Sequence, residues 1–176
     1  MKALLISIKP EWVAKILNGK KTIEIRKRFP KDYIGWVYIY CTKDKKYANL
    51  INRGGFLTGM VVARFWCDKV EEIKFETAPF DNNLIHWETK TLSMFDINEK
   101  SCLTEKELLN YLKEKSGYAI HIIKLEIFDK PKEISEFKYY KKFSEIDYML
   151  PVPRKETCER LVPLTKAPQS WQFVEI

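Results

Sequence analysis

Three rhythms of apolar and polar residues run along this chain. Residues 2–8 (KALLISI) are almost all apolar, which predicts a short buried strand. From Pro10 the spacing changes: Trp12, Val13, Ile16 and Leu17 recur at helical intervals and define one apolar face. Pro10 suits the first helical position, Glu11 complements the helix dipole, and Asn18-Gly19 supplies a stop. Residues 21–28 then alternate, with Ile23 and Ile25 on one face and Thr22, Glu24 and Arg26 on the other, which is the period of a strand. Gly35 marks a turn, and 36–41 (WVYIYC) have the aromatic and β-branched content of another strand.

The rest of the chain is less regular. Residues 43–54 are polar, end in Gly54-Gly55, and read as a loop or short helical excursion. A long strand pattern runs from Phe56 to about Val70, with room to continue to Phe75. Residues 77–103 have weak periodicity and read as an insertion that packs Phe80, Trp87 and Phe95 onto the body. Thr104 and Glu107 fit a capping box that opens a helix with Leu108, Leu109 and Leu112, closed by Gly117. Residues 118–128 (YAIHIIKLEIF) predict a central strand, 132–165 a loop-rich segment with prolines and many charges, and Trp171–Ile176 a last strand. Strands dominate and helices are interspersed. The expected fold is therefore mixed α+β, one domain over 1–176: a small β-barrel with peripheral short helices.

Composition narrows the class. A chain of 176 residues, 45% hydrophobic and 31% charged, has the make-up of one globular domain. No apolar run approaches the roughly 18–20 residues of a membrane span, and the N-terminal apolar stretch is too short for a signal peptide, so a cytoplasmic protein without a membrane partner is expected. Cys41, Cys67, Cys102 and Cys158 are scattered, and His86 and His121 lie apart from them. Reduced, mostly buried thiols are expected, with no metal site and no cofactor.

Charge changes the picture more. Of 31 basic and 24 acidic side chains, nine basic and two acidic ones lie in residues 1–31, leaving 22 of each sign in the remainder. The whole net charge of +7 thus belongs to the first 31 residues. That asymmetry is the footprint of a polyanion binder, although a solvated basic face has the same composition.

The candidate chemistry sits in the same stretch, Gly19–Arg26 (GKKTIEIR). Glu24 and Arg26 are two apart on one strand and leave the same face. Parity puts Lys20 on that face and Lys21 on the other, but the junction after the helix is irregular, so either lysine can turn inward. Lys, Glu and Arg together suit general acid–base catalysis beside an anion clamp, or the reading of a base and its phosphate; an exposed ion-pair strand is the plain alternative. Ser7 and Lys9 precede the helix and can reach the same cleft. Trp12 offers a stacking face, though its helical spacing with Ile16 favours the core. Arg28, with Lys27, forms a phosphate rim. His121, mid-strand among Ile and Ala, reads as a core histidine.

Gly19-x-Lys21-x-x-Glu24-x-Arg26 resembles the GxKxxExR pattern of the ASCH domain family, a group of PUA-like domains. LLISIKPEWVAKILNGKKTIEIRKRFP around it, YAIHIIKLEIFDKP at 118–131 and APQSWQFVEI at 167–176 are similar to the same family. The resemblance implies a PUA-like β-barrel whose cleft is lined by the motif, with Lys21 as the inward lysine. It further implies binding of RNA or a modified nucleotide, for which the residues themselves offer Ser7, Lys9, Trp12, Lys20, Lys21, Glu24, Arg26 and Arg28. In some members the pocket is a hydrolase, a ribonuclease or an amidohydrolase acting on N4-acetylcytidine; here Lys21, Glu24 and Arg26 would be its catalytic residues. Where that amidohydrolase group has a threonine, this chain has Glu24.

Overall fold

The computed structural model describes residues 1–44, 58–78, 81–113, 115–147 and 154–176. Among them lie eleven strands and three α-helices: β1 (Lys2–Ile8), α1 (Pro10–Leu17), β2 (Ile23–Arg26), β3 (Gly35–Cys41), β4 (Val61–Cys67), β5 (Val70–Ala78), β6 (Asp81–Glu88), α2 (Met94–Ser101), α3 (Glu105–Leu112), β7 (Gly117–His121), β8 (Ile123–Lys132), β9 (Lys138–Asp147), β10 (Arg154–Pro163) and β11 (Trp171–Glu175). The mixed, strand-rich α+β class is as expected.

Of the expected β-barrel, no closed form is present among the described strands. The described strands form two open sheets, one in the order β10-β9-β11-β1-β3-β4-β8 and one in the order β2-β7-β5-β6. β1 and β3 run parallel, and every other described pairing is antiparallel. The expected central strand 118–128 is two strands in different sheets. The chain leaves β7 at Ile122, and Lys124 takes a left-handed φ of 46° as β8 begins. A lysine there bears a steric cost that the switch between sheets imposes on the backbone.

Other boundaries also shift. The strand from Phe56 is two strands separated at Asp68-Lys69; residues 45–57, including Phe56 and the Gly54-Gly55 pair, lie outside the described residues. The 77–103 stretch is β6 followed by α2. Trp87 is fully buried there, whereas Phe95 is 73% exposed and does not pack; Phe80 lies outside the described residues. α2 has its own capping box, Ser93 with Asp96. In α3 the Thr104–Glu107 box is present, but Lys113, at φ 55°, ends the helix. Gly117 instead starts β7, where a Cβ would meet Leu112 Cδ2 at 2.7 Å and the Arg26 carbonyl oxygen at 3.2 Å. Within the expected loop at 132–165 the described residues form a one-turn 3-10 helix (Ile134–Glu136) and the antiparallel pair β9–β10, and 148–153 lie outside the described residues. Its charges read as loop because the strand pair extends the sheet edge, where Lys138, Tyr140, Lys141 and Lys142 are solvent-exposed.

Three apolar clusters hold these elements. The first joins Leu4, Ile6 and Ile8 of β1 to Val13 and Ile16 of α1 and to Val37 and Ile39 of β3. The second joins Ile23 and Ile25 of β2 to Ile73, Trp87, Ile97, Leu108 and Leu112. The third lies on the opposite face of the large sheet, around Leu5, Tyr38, Phe137 and Leu164. β2 therefore packs its isoleucines against the α2–α3 pair, while α1 covers β1 and β3. Among the described residues no helix is long and apolar enough to cross a membrane.

Candidate functional site

Lys21, Glu24 and Arg26 converge. Pro10 at the start of α1 and Gly19 at φ 75° after Asn18 set the turn that brings Lys21 inward, and the Lys21 amide donates to the Lys15 carbonyl. All four β2 residues are buried, so the strand lacks the wet face that its alternation predicts. Ile23 and Ile25 enter the second core, while Glu24 and Arg26 line a cleft. Lys21 is 3% exposed, and Glu24 and Arg26 are each 7% exposed.

The ionic geometry is specific. Lys21 Nζ stands 3.2 Å from Glu24 Oε2, and Arg26 Nε stands 3.0 Å from Glu24 Oε1. The two cations thus take opposite ends of one carboxylate. Backbone carbonyls fix both: Lys21 Nζ donates to the Ser101 carbonyl at 2.8 Å, and Arg26 Nη2 donates to the Ser7 carbonyl at 2.7 Å. The contacts to Glu24 are ion pairs without hydrogen-bond alignment. Arg26 Nε is buried with no hydrogen-bond partner among the described residues, and none of their hydrogen bonds ends on the Glu24 carboxylate. The carboxylate keeps acceptor capacity that its neighbours do not use.

The cleft has a volume of about 440 Å³. Its walls are Ser7, Ile8 and Thr42 from the ends of β1 and β3, Lys9 and Trp12 from α1, Leu103 and Tyr111 from the α2–α3 region, and Gln169 before β11. Ser7 donates its hydroxyl proton to the Pro168 carbonyl at 2.6 Å, which ties the C-terminal segment to the cleft. Trp12 packs partly on the first core and also faces the cleft, with Lys15 and Lys21 ammonium groups 4.4 and 5.4 Å from its ring centroid. Lys9, exposed, forms the rim.

Two expected residues stand outside. Lys20 is exposed and does not line the cleft; its carbonyl accepts from Cys102 Sγ. Arg28 is exposed, and it is its carbonyl that is used, accepting from Trp171 Nε1 at 2.8 Å. Tyr111 and Gln169 are lining residues that the sequence reading missed. Tyr111 lies on α3, whose apolar spacing draws attention to Leu108 and Leu112 instead. Burial raises the Tyr111 phenol above its usual range, and nearby Glu24 adds to this against the opposing Arg26.

A second polar cluster lies on the far side of β7. His121, expected as a core histidine, is partly exposed and places Nε2 2.9 Å from Glu71 Oε2. Glu71, 5% exposed, also accepts from Thr91 at 2.9 Å and pairs with Lys69 at 3.1 Å. Burial pushes the Glu71 carboxyl up, but the bonds from Thr91, His121 and Lys69 outweigh it and hold it below the ordinary value of 4.5. A depressed carboxyl stabilises the fold above its unfolded-state value and loses that contribution as pH falls through the folded value. Stability should therefore decline below about pH 4.5, and Glu71→Gln should flatten that part of the profile. Urea unfolding at stepped pH checks this; an unchanged slope in the variant would show that Glu71 is not the group responsible.

No protein-family model matches the chain, and no curated protein matches it in sequence. Solved structures do match. The crystal structure of an ASCH protein from Zymomonas mobilis is 17% identical, with a TM-score of 0.52 over 98% of this chain and 87% of that one. A serine-to-alanine variant of it is 16% identical, at 0.51 over 98% and 88%, and a tyrosine-to-phenylalanine variant is 18% identical, at 0.51 over 76% and 77%. The chain accordingly has the fold of an ASCH domain.

Proposed function

We propose that this domain binds RNA, taking an unpaired or modified nucleotide into the Lys21–Glu24–Arg26 cleft. The observation that carries the reading is a buried cation–carboxylate–cation set at the floor of a 440 Å³ cleft, within the part of the chain that holds all the net charge. Trp12 supplies a face for stacking, Lys9 a phosphate contact at the rim, and Glu24 an acceptor for a base donor. The ASCH fold supports an RNA-related role in general. The hydrolase reading asks one of these groups to move a proton. The Lys21 ammonium already spends a proton on Ser101, and both cations hold the carboxylate in place, an arrangement better suited to recognition than to turnover.

Fluorescence anisotropy with a single-stranded RNA tests the proposal. Affinity should fall steeply between 50 and 200 mM salt, as counterion release requires. Trp12→Ala should weaken it by roughly 5- to 150-fold, the range for one lost base stack. Absence of binding at low salt would defeat the reading. Product analysis of the same mixtures, and of N4-acetylcytidine, would favour the hydrolase if cleavage appears and disappears with Lys21→Ala or Glu24→Ala.

A further inference from the structure

The floor of the cleft also carries a directional pattern. Its acceptor, the Glu24 carboxylate, has a cationic donor at each end: Lys21 at 3.2 Å from one oxygen and Arg26 at 3.0 Å from the other. Neither cation is exhausted. Lys21 has three protons and makes one hydrogen bond, to Ser101; Arg26 uses Nη2 on Ser7, while its Nε, buried, has no hydrogen-bond partner among the described residues. The order presented is donor, acceptor, donor.

Resting on the RNA-binding reading above, the geometry points to a base with an imide edge as the nucleotide taken by this cleft, which in RNA means uracil. An imide offers carbonyl, N–H, carbonyl, the complement of the floor. Its N–H donates to Glu24, and its two carbonyl oxygens accept from Lys21 and Arg26. The other bases each leave one cation unmatched. Cytosine and adenine present an amino group beside a ring nitrogen, so one cation meets only the amino donor. Guanine can give both of its N–H groups to the carboxylate and its oxygen to one cation, but its amino group then confronts the second. A site with a single flanking cation would favour guanine; the second cation turns the preference by repulsion as well as by attraction. Buried donors left without a partner make that penalty large.

The test compares oligonucleotides of uridine, cytidine, adenosine and 3-methyluridine, of equal length and at one salt concentration, by anisotropy on the wild-type protein. Oligo(U) should bind at least about tenfold more tightly than oligo(C) or oligo(A), and methylation at N3 should remove the advantage. In Glu24→Gln, the ratio of U to C affinity should fall towards one, because the amide adds a donor where the imide needs an acceptor. Circular dichroism establishes that the variant is folded, and the wild-type comparison decides the matter without it. Equal affinity for the U and C strands, or undiminished binding of 3-methyluridine, overturns the imide assignment and leaves RNA binding standing. No binding of any strand at low salt overturns both.

Discussion

Glu24→Ala is expected to destabilise the protein by about 3–5 kcal/mol, the range seen when one member of a buried ion set is removed. The cost arises less from the lost attraction than from what remains. Lys21 and Arg26, at 3% and 7% exposure, would face each other with no counter-charge. For a chain of this size each kcal/mol lowers Tm by roughly 2–4 °C, so a fall of roughly 6–20 °C is expected by thermal denaturation. Adding Lys21→Met to that variant removes one stranded charge and should recover part of the loss. If instead the two changes simply add, the three groups are not coupled and the buried-set description is wrong.

Trp87→Ala should cost a similar amount, about 3–5 kcal/mol, for a different reason. Trp87 is fully buried and packs with Phe75, ring centroids 5.9 Å apart, in the cluster that backs Ile23 and Ile25. Truncation opens a cavity directly behind β2, so the RNA binding proposed for the cleft should weaken along with stability. Trp87→Phe separates packing from polarity. The indole Nε1 is buried without a hydrogen-bond partner among the described residues, so phenylalanine sheds an unsatisfied donor while keeping most of the ring contact. Its loss should stay below about 1.5 kcal/mol. Equal destabilisation by Ala and Phe in urea titrations would contradict this account.

What the sequence revealed about the site follows from locality. The β1–α1–β2 unit spans under thirty residues, and its signals are short-range: an apolar run, a proline at a helix start, a glycine stop and an alternation. The same holds for the Thr104–Glu107 box. Parity leaves the inward lysine open, because strand alternation does not extend through a turn that Gly19 breaks; the family pattern favours Lys21, the buried one. Features set by distant partners were not legible. Nothing local announces that Ile122 changes sheets, that the charged stretches 138–147 and 154–163 are paired strands, or that Glu71 meets His121 across fifty residues. Tyr111 was hidden because its contribution to the cleft depends on how α3 packs against β2, not on its own helix.

The bonds that close the cleft are long-range in the chain. Lys21 reaches Ser101 across 80 residues, and Ser7 reaches Pro168 across 161. Closing loops of that length is slow compared with forming α1. During synthesis the N-terminal unit can coil and pair early, yet its basic face waits unassembled until residue 168 has left the ribosome. A nascent chain therefore carries the charge before it carries the cleft, which is complete only when the last strand has joined the sheet.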